Sequence, residues 1–185
     1  MAEEVGGVIE MSIEAVRVNM QNYSRVVVLK EKIAERYLAI WIMPPEAEAI
    51  ALRLGEAQPP RPMTHDLLRN VIEALGGQVR HVLVNELSND VFHACIVLDV
   101  GGNTVEVDSR PSDAIALAVR AQVPIFADEA VLEQAGFLLE KEQQGALAAA
   151  HSEPISKAGP EELEKMSAFK DFIESLDLDD FEKPR

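Results

Sequence analysis

The sequence predicts an α+β fold, a mixed and largely antiparallel sheet with helices packed against it, followed by a linker and a C-terminal amphipathic helix. Three observations predict it. Residues 25–30 (RVVVLK) and 36–43 (RYLAIWIM) are short apolar runs rich in β-branched and aromatic side chains, as buried strands are. Between residues 78 and 108, three more such segments are separated only by the short turns 88–90 and 101–103, which join antiparallel neighbours and no others. Around these lie segments whose apolar residues recur at helical spacing and whose starts carry proline, threonine or acidic residues.

Taken in order, Ile13, Ala15, Val16 and Val18 mark a first strand and residues 25–30 a second, with Asn22 in the hairpin loop between them. Segment 36–43 sets Tyr37, Ala39 and Trp41 against Leu38, Ile40 and Ile42. Both faces are apolar, so a central strand is expected. Pro44 and Pro45 end it and open a helix that buries Ala47, Ile50, Ala51 and Leu54 and stops at Gly55. After the linker EAQPPRP, Thr64 is the expected N-cap of a helix running from His65 to about Leu75. Its apolar stripe is Leu67, Leu68, Val71, Ile72 and Leu75, and Gly76 and Gly77 end it. Strands at 78–86, 91–100 and 104–108 form a meander, in which His93 shares a face with Cys95. Pro111 then opens a helix carrying Ile115, Ala118 and Val119, followed by a short strand at 123–127 and a helix at 128–134 closed by Gly136.

This places one domain at 1–139. Residues 140–160 are small, polar and interrupted by Gly and Pro, as a flexible linker is. Residues 161–185 form an acidic tail whose Leu163, Met166, Phe169, Phe172, Ile173 and Leu176 lie at helical spacing. Such a face would dock on this domain or on a partner.

Charge limits the partners. The net charge is −15, and residues 1–139 alone hold 20 acidic against 11 basic side chains. Binding nucleic acid through bulk charge is therefore excluded; any phosphate contact must come from local arginines or from metal ions held on carboxylates. Cys95, the single cysteine, sits in the apolar run VFHACIVL and reads as a buried thiol of a reducing compartment. The acidic start MAEEVGGVIE lacks the regions of a secretory signal, and no apolar run approaches the roughly 20 residues that span a bilayer. A cytoplasmic protein without membrane attachment is expected.

No Walker loop, GxGxxG, HExxH, GxSxG or paired CxxC is present. Two similar constructions remain, RPMTHD at 61–66 and DSRPSD at 108–113. Each joins Arg-Pro to a hydroxyl residue and an aspartate at a helix start. Helix N-termini attract anions, arginine grips phosphate in a fork, and carboxylates hold divalent metal, which together are the parts of phosphodiester hydrolysis. Glu46 and Glu48, in the first turn of their helix, are further candidate metal ligands. The same parts also serve structure. Pro111 at the first helical position makes Arg110 the cap and Asp113 the third helical residue, where an acid stabilises by about 0.3–1 kcal/mol. Arg61 and Arg110 would equally pair with Asp66 or Asp108.

The segments YLAIWIMPPEAEAIAL (37–52), PPRPMTHDLL (59–68), VEVDSRPSDAIALAVR (105–120) and PIFADEAVL (124–132) together resemble the bifunctional nuclease domain family over about residues 12–136. The resemblance implies a self-associating α+β domain, a dimer being favoured, in a family named for DNase and RNase activity of plant members. Carried over residue by residue, it matches Glu46, Glu48, Arg61, His65, Asp66, Asp108, Arg110, Ser112 and Asp113 to the family's polar motifs. Where the family commonly reads Thr-Phe-Tyr-Ala, this chain has Val91, Phe92, His93 and Ala94. The expectation that follows is a metal-assisted nuclease acting on DNA or RNA. In it Asp66, Asp108 and Asp113, with Glu46 and Glu48, would hold Mg²⁺ or Mn²⁺. Arg61, Arg110 and Ser112 would hold phosphate. His65 would be the general acid or base, with Asp66, Asp108 and Asp113 completing the catalytic set. The alternative is a non-catalytic regulatory or protein-binding module of the same fold. A sensor of small anions built on the two Arg-Pro turns is a third reading.

Overall fold

The computed structural model describes residues 7–18, 23–56 and 59–138. Asn22, the linker at 140–160 and the tail at 161–185 lie outside them. Two antiparallel meanders make up most of the described fold. The first is β1 (Val8–Val18), β2 (Arg25–Glu31) and β3 (Arg36–Ile42). The second is β4 (Gly77–Ser88), β5 (Val91–Val100) and β6 (Asn103–Ser109). Helices α1 (Pro44–Leu54) and α2 (Thr64–Ala74) connect them, and α3 (Pro111–Ala121) leads on to β7 (Ile125–Asp128), α4 (Glu129–Ala135) and β8 (Phe137–Leu138).

β7 makes one sheet of the two meanders. It runs antiparallel to β1 and parallel to β4, giving the order β6-β5-β4-β7-β1-β2-β3-β8. A parallel pair needs a long crossover, and α3 lies within it. The sheet is thus mixed and mostly antiparallel, as the sequence predicts.

The helices cover one face. Val27, Leu29, Leu38, Ile40, Val82, Val84, Ala94 and Ile96 point from the strands into the core, meeting Ala47 and Ile50 of α1 and Val131 and Leu132 of α4. α3 is the most enclosed element: Ala114, Ile115, Ala116, Leu117 and Ala118 are each at most 1% exposed. It packs against α1, α2, β4 and β5 at once. Its alternating alanines explain how, because small side chains let neighbouring helices approach closely while Ile115 and Leu117 fill the remaining space.

Several expectations need correction. Helix α1 buries Ala47, Ala49 and Ile50, whereas Ala51 and Leu54 are exposed. Segment 36–43 is not a central strand. β3 pairs with β2 on one side, but on the other β8 covers only Arg36 and Tyr37, and Trp41 is 65% exposed. Its second apolar face reflects packing at one end, where Tyr37 is buried against Phe137, and a free aromatic at the other. The apolar stripe of α2 is mostly uncovered, with Leu67, Val71 and Leu75 at 58%, 45% and 79% exposure, because α2 meets α3 and β4 through its other side. Finally, Met63 is the N-cap of α2, and Thr64 is its first residue. Asp66 stabilises that start instead, accepting a hydrogen bond from the Met63 backbone N–H at 2.9 Å. Gly76 turns the chain with φ of +81°, as the helix stop requires, whereas Gly77 already belongs to β4. There a Cβ would press within 3.1 Å of Ile72.

Cys95 is buried and free, and its burial raises the thiol pKa. No helix among the described residues is long and apolar enough to cross a membrane.

Candidate functional site

The start of α3 forms as its local sequence dictates. Arg110 is the extended N-cap, Pro111 is pre-set for the first helical position, and Asp113 is third. Just upstream, the Ser109 hydroxyl donates to the Ala94 carbonyl at 3.2 Å and ties the end of β6 to β5. The Arg110 guanidinium then folds back on the helix. Its Nε donates to Asp113 Oδ2 at 2.7 Å, and one Nη donates both to Asp113 Oδ1 at 3.1 Å and to Glu46 Oε1 at 2.6 Å. On the other side, His65 Nε2 lies 3.1 Å from Asp113 Oδ1. The two Arg-Pro turns therefore converge. Asp113 is the meeting point, with His65 from one turn and Arg110 from the other.

Burial of Asp113 works to raise its pKa, but the hydrogen bonds from Arg110 and His65 outweigh it and hold the carboxyl below the ordinary 3.8. Arg110 is raised further above its usual range, chiefly by Asp113 and then by Glu46. A pH prediction follows. A carboxyl with a depressed folded pKa contributes stability that is whole above its unfolded value and is lost as pH falls through the folded value. Urea unfolding between about pH 2 and 6 should show an acid loss below pH 3.8 that shrinks in Asp113→Asn. An unchanged acid limb would refute the account of Asp113.

Asp66, beside His65 in sequence, faces another partner. While its Oδ2 accepts from Met63, its Oδ1 accepts from Arg120 Nε at 2.9 Å. Arg120 is only 3% exposed, and its two Nη atoms donate to the Ala116 carbonyl at 2.8 Å and the Ala49 carbonyl at 3.0 Å. One guanidinium thus joins α1, α2 and α3 behind the site. A basic residue in the last turn of a helix ordinarily complements the helix dipole, so only its position in the otherwise apolar run AIALAVRA marks it.

The remaining expected residues are dispersed. Asp108 stands on β6 opposite Cys95, on the sheet face away from Ala94 and Ile96 and hence away from the helices. Asp113 follows five positions later, but strand alternation points Asp108 to the other side. Glu48 is exposed, because residues two apart on a helix do not share a face and Glu46 takes the inward one. Ser112 is buried beside Arg110, whereas Arg61 lines a different cavity.

No three His, Cys, Asp or Glu side chains among the described residues group as a metal ion requires. Asp113 uses both carboxylate oxygens on Arg110 and His65, Asp66 uses both on Arg120 and Met63, and Glu46 has one oxygen on Arg110. Of these carboxylate oxygens, Glu46 Oε2 is buried without a hydrogen-bond partner. A hard divalent cation takes about six oxygen ligands, so the expected set of Asp66, Asp108, Asp113, Glu46 and Glu48 does not fit one preassembled metal centre.

Two cavities lie near the two turns, one lined by Arg110 and the other by Arg61 and Asp66. A cleft of about 310 Å³ is lined by the apolar Trp41, Met43, Val91 and Phe92 and by the polar Asp90, Arg110 and Ser112. Val91 and Phe92 belong to the strand where the chain departs from the Thr-Phe-Tyr-Ala pattern, so the missing hydroxyl borders this cleft. The second cavity, of about 280 Å³, lies around Arg53, Arg61, Arg69 and Arg120. Sequence reading passed over Trp41, Arg53, Arg69 and Arg120. For Trp41 a signal existed, since a tryptophan next to a Pro-Pro strand end is well placed to be exposed.

An eight-stranded α+β domain that gathers two Arg-Pro helix starts around one histidine–aspartate pair defines a class of polar-site domain. The chain belongs to the bifunctional nuclease domain family, whose sequence profile matches residues 27–140. It is similar to an uncharacterized protein of Mycobacterium tuberculosis, with 39% identity over 172 residues that cover 93% of this chain and 97% of the relative. Bifunctional nuclease 1 of rice (Oryza sativa subsp. indica) is 32% identical over 103 residues, covering 54% of this chain and 31% of the plant protein. Bifunctional nuclease 2 of Arabidopsis thaliana is 29% identical over 113 residues, covering 58% and 34% respectively.

Proposed function

We propose that this protein is a nuclease that hydrolyses phosphodiester bonds in the cleft beside Arg110. The observation that carries the reading is the convergence of His65 and Asp113 with Arg110, the residue of the three that lines the cleft. The names of the plant relatives agree with it. In this arrangement Asp113 orients the His65 ring through Nε2 and leaves Nδ1 to carry a proton to or from the reacting oxygens. Arg110, with a side chain 57% exposed, turns from its carboxylates toward a phosphate, and the Ser112 hydroxyl adds a donor. Trp41 offers a face on which a base stacks, worth about 1–3 kcal/mol per base, so an acidic protein would hold a single strand by stacking and local arginine contacts.

Mg²⁺ or Mn²⁺ is not assigned a step. Its role is an arm of the test: hydrolysis of single-stranded and duplex oligonucleotides with EDTA or with added metal. Binding has its own reporter, because Trp41 is the only tryptophan in the chain. A single-stranded oligonucleotide should quench its fluorescence saturably, and Trp41→Phe should weaken the complex. If clean protein neither hydrolyses nor shows quenching, the nuclease reading fails.

One observation favours a non-catalytic module. Asp66 and Asp113 are already engaged through both oxygens, and Glu46 through one, by an arginine, a histidine or the backbone. The uncovered stripe Leu67, Val71 and Leu75 supports the self-association proposed with it, a dimer by sedimentation.

A further inference from the structure

We infer that the cavity between the end of α1, residues 59–63 and the first turns of α2 is a binding site for the phosphate group of a phosphorylated ligand, separate from the Arg110 cleft. The two cavities share no lining residue. Its charge is the opposite of the protein's. In a chain of net charge −15, Arg53, Arg61, Arg69 and Arg120 surround about 280 Å³, with Asp66 the only acidic side chain in the lining. Asp66 and Glu73 pair with Arg120 and Arg69, and the charge left on Arg53 and Arg61 attracts anions.

The four guanidinium groups differ in what they have left to give. Arg120 is committed to Asp66 and two carbonyls, and forms a fixed floor. Arg69 reaches the Arg120 carbonyl through one Nη at 3.1 Å, but its Nε is buried without a hydrogen-bond partner. That Nε is ion-paired with Glu73 at 3.5 Å, and the other Nη donates to Asn70 Oδ1 at 3.4 Å. Arg53 and Arg61 have no side-chain hydrogen bond or ion pair among the described residues. The open donors thus come chiefly from Arg53 and Arg61, on two segments. A tetrahedral oxyanion would take forks from both and offer the buried Arg69 Nε the hydrogen bond that its ion pair with Glu73 does not make.

Neighbouring prolines prepare the site. Pro59, Pro60 and Pro62 restrict the backbone on both sides of Arg61, so less freedom is lost when it closes on an anion. Arg61 thereby keeps the phosphate-binding role expected from RPMTHD, but at a different place from Arg110. The lining is mostly polar or proline, which favours a small, highly charged ligand over an apolar one.

The test is calorimetric titration of the full chain with inorganic pyrophosphate, with AMP, and with an oligonucleotide lacking terminal phosphates. Saturable binding of at least one probe is expected. Arg53→Ala and Arg61→Ala should each weaken it by about tenfold or more, since each removes a charge-assisted hydrogen bond. Both side chains lie outside the packed core, so the fold is not at stake. Lys32→Ala, which removes an exposed charge paired with Glu10, should leave the affinity unchanged. Binding of pyrophosphate and AMP alone identifies a free phosphorylated ligand; an oligonucleotide that displaces pyrophosphate identifies a backbone phosphate instead. No saturable binding, or equal affinity in the Arg53→Ala/Arg61→Ala double variant, would overturn the site. Because binding is read without turnover, neither result depends on whether the protein hydrolyses nucleic acid.

Discussion

Arg120→Ala is expected to destabilise the domain by about 3 kcal/mol, the lower end for breaking a buried charge pair, because Asp66 keeps partial contact with solvent. The guanidinium donates to acceptors on three helices, Asp66 on α2, the Ala49 carbonyl on α1 and the Ala116 carbonyl on α3. Its removal strands a carboxylate and two carbonyls and empties a volume between tightly packed helices. Urea unfolding should show the loss as a lower midpoint with little change in slope. Arg120→Lys should recover only part of it, since one ammonium group on a flexible stem cannot reach three separated acceptors. In a double-mutant cycle with Asp66→Ala, the two changes should be strongly non-additive. A loss below about 1 kcal/mol in Arg120→Ala would mean that the helices are held together by apolar packing alone.

His65→Ala and Asp113→Asn are expected to lower the rate of phosphodiester hydrolysis by about 10²–10⁴-fold, the usual contribution of a positioned acid or base. The two should be far from additive, because Asp113 acts by orienting His65 and the loss of either removes the same function. Unfolding curves for each variant separate lost chemistry from lost structure. Arg110→Ala should raise KM as well as lower the rate, as removal of a phosphate contact does. Asp108→Ala is the contrasting case. That residue faces away from the helices, and its variant should retain the wild-type rate. Hydrolysis that survives His65→Ala and Asp113→Asn in folded protein would remove the assignment. Hydrolysis lost with Asp108→Ala in folded protein would remove the stated geometry.

The start of α3 was legible in the sequence, whereas that of α2 was misplaced by one residue. Arg110 as cap, Pro111 as first helical residue and Asp113 as third follow from backbone rules that act within four residues, and the structure shows each of them. The meander of β4, β5 and β6 was legible for the same reason, since short turns leave one way to pair. Spacing did not decide partners. Asp66 and Asp113 occupy equivalent positions in RPMTHD and DSRPSD, yet one meets the buried Arg120 and the other meets His65 and Arg110. The α2 stripe shows a similar limit. Apolar periodicity marks a helix, but it does not say which side its neighbours will occupy, and here they leave Leu67, Val71 and Leu75 open.

By itself the sequence determined the family, the α+β class, the positions of most elements and the polar residues at each helix start. These are local properties, set by propensity, capping and turn length. Only the tertiary structure decided that the two Arg-Pro turns meet through His65 and Asp113, that Asp108 and Glu48 stand apart, and that Arg61 and Arg110 serve different cavities. Those outcomes depend on how α3 seats between the sheet and the other helices, a packing of residues distant in the chain that no window of sequence contains.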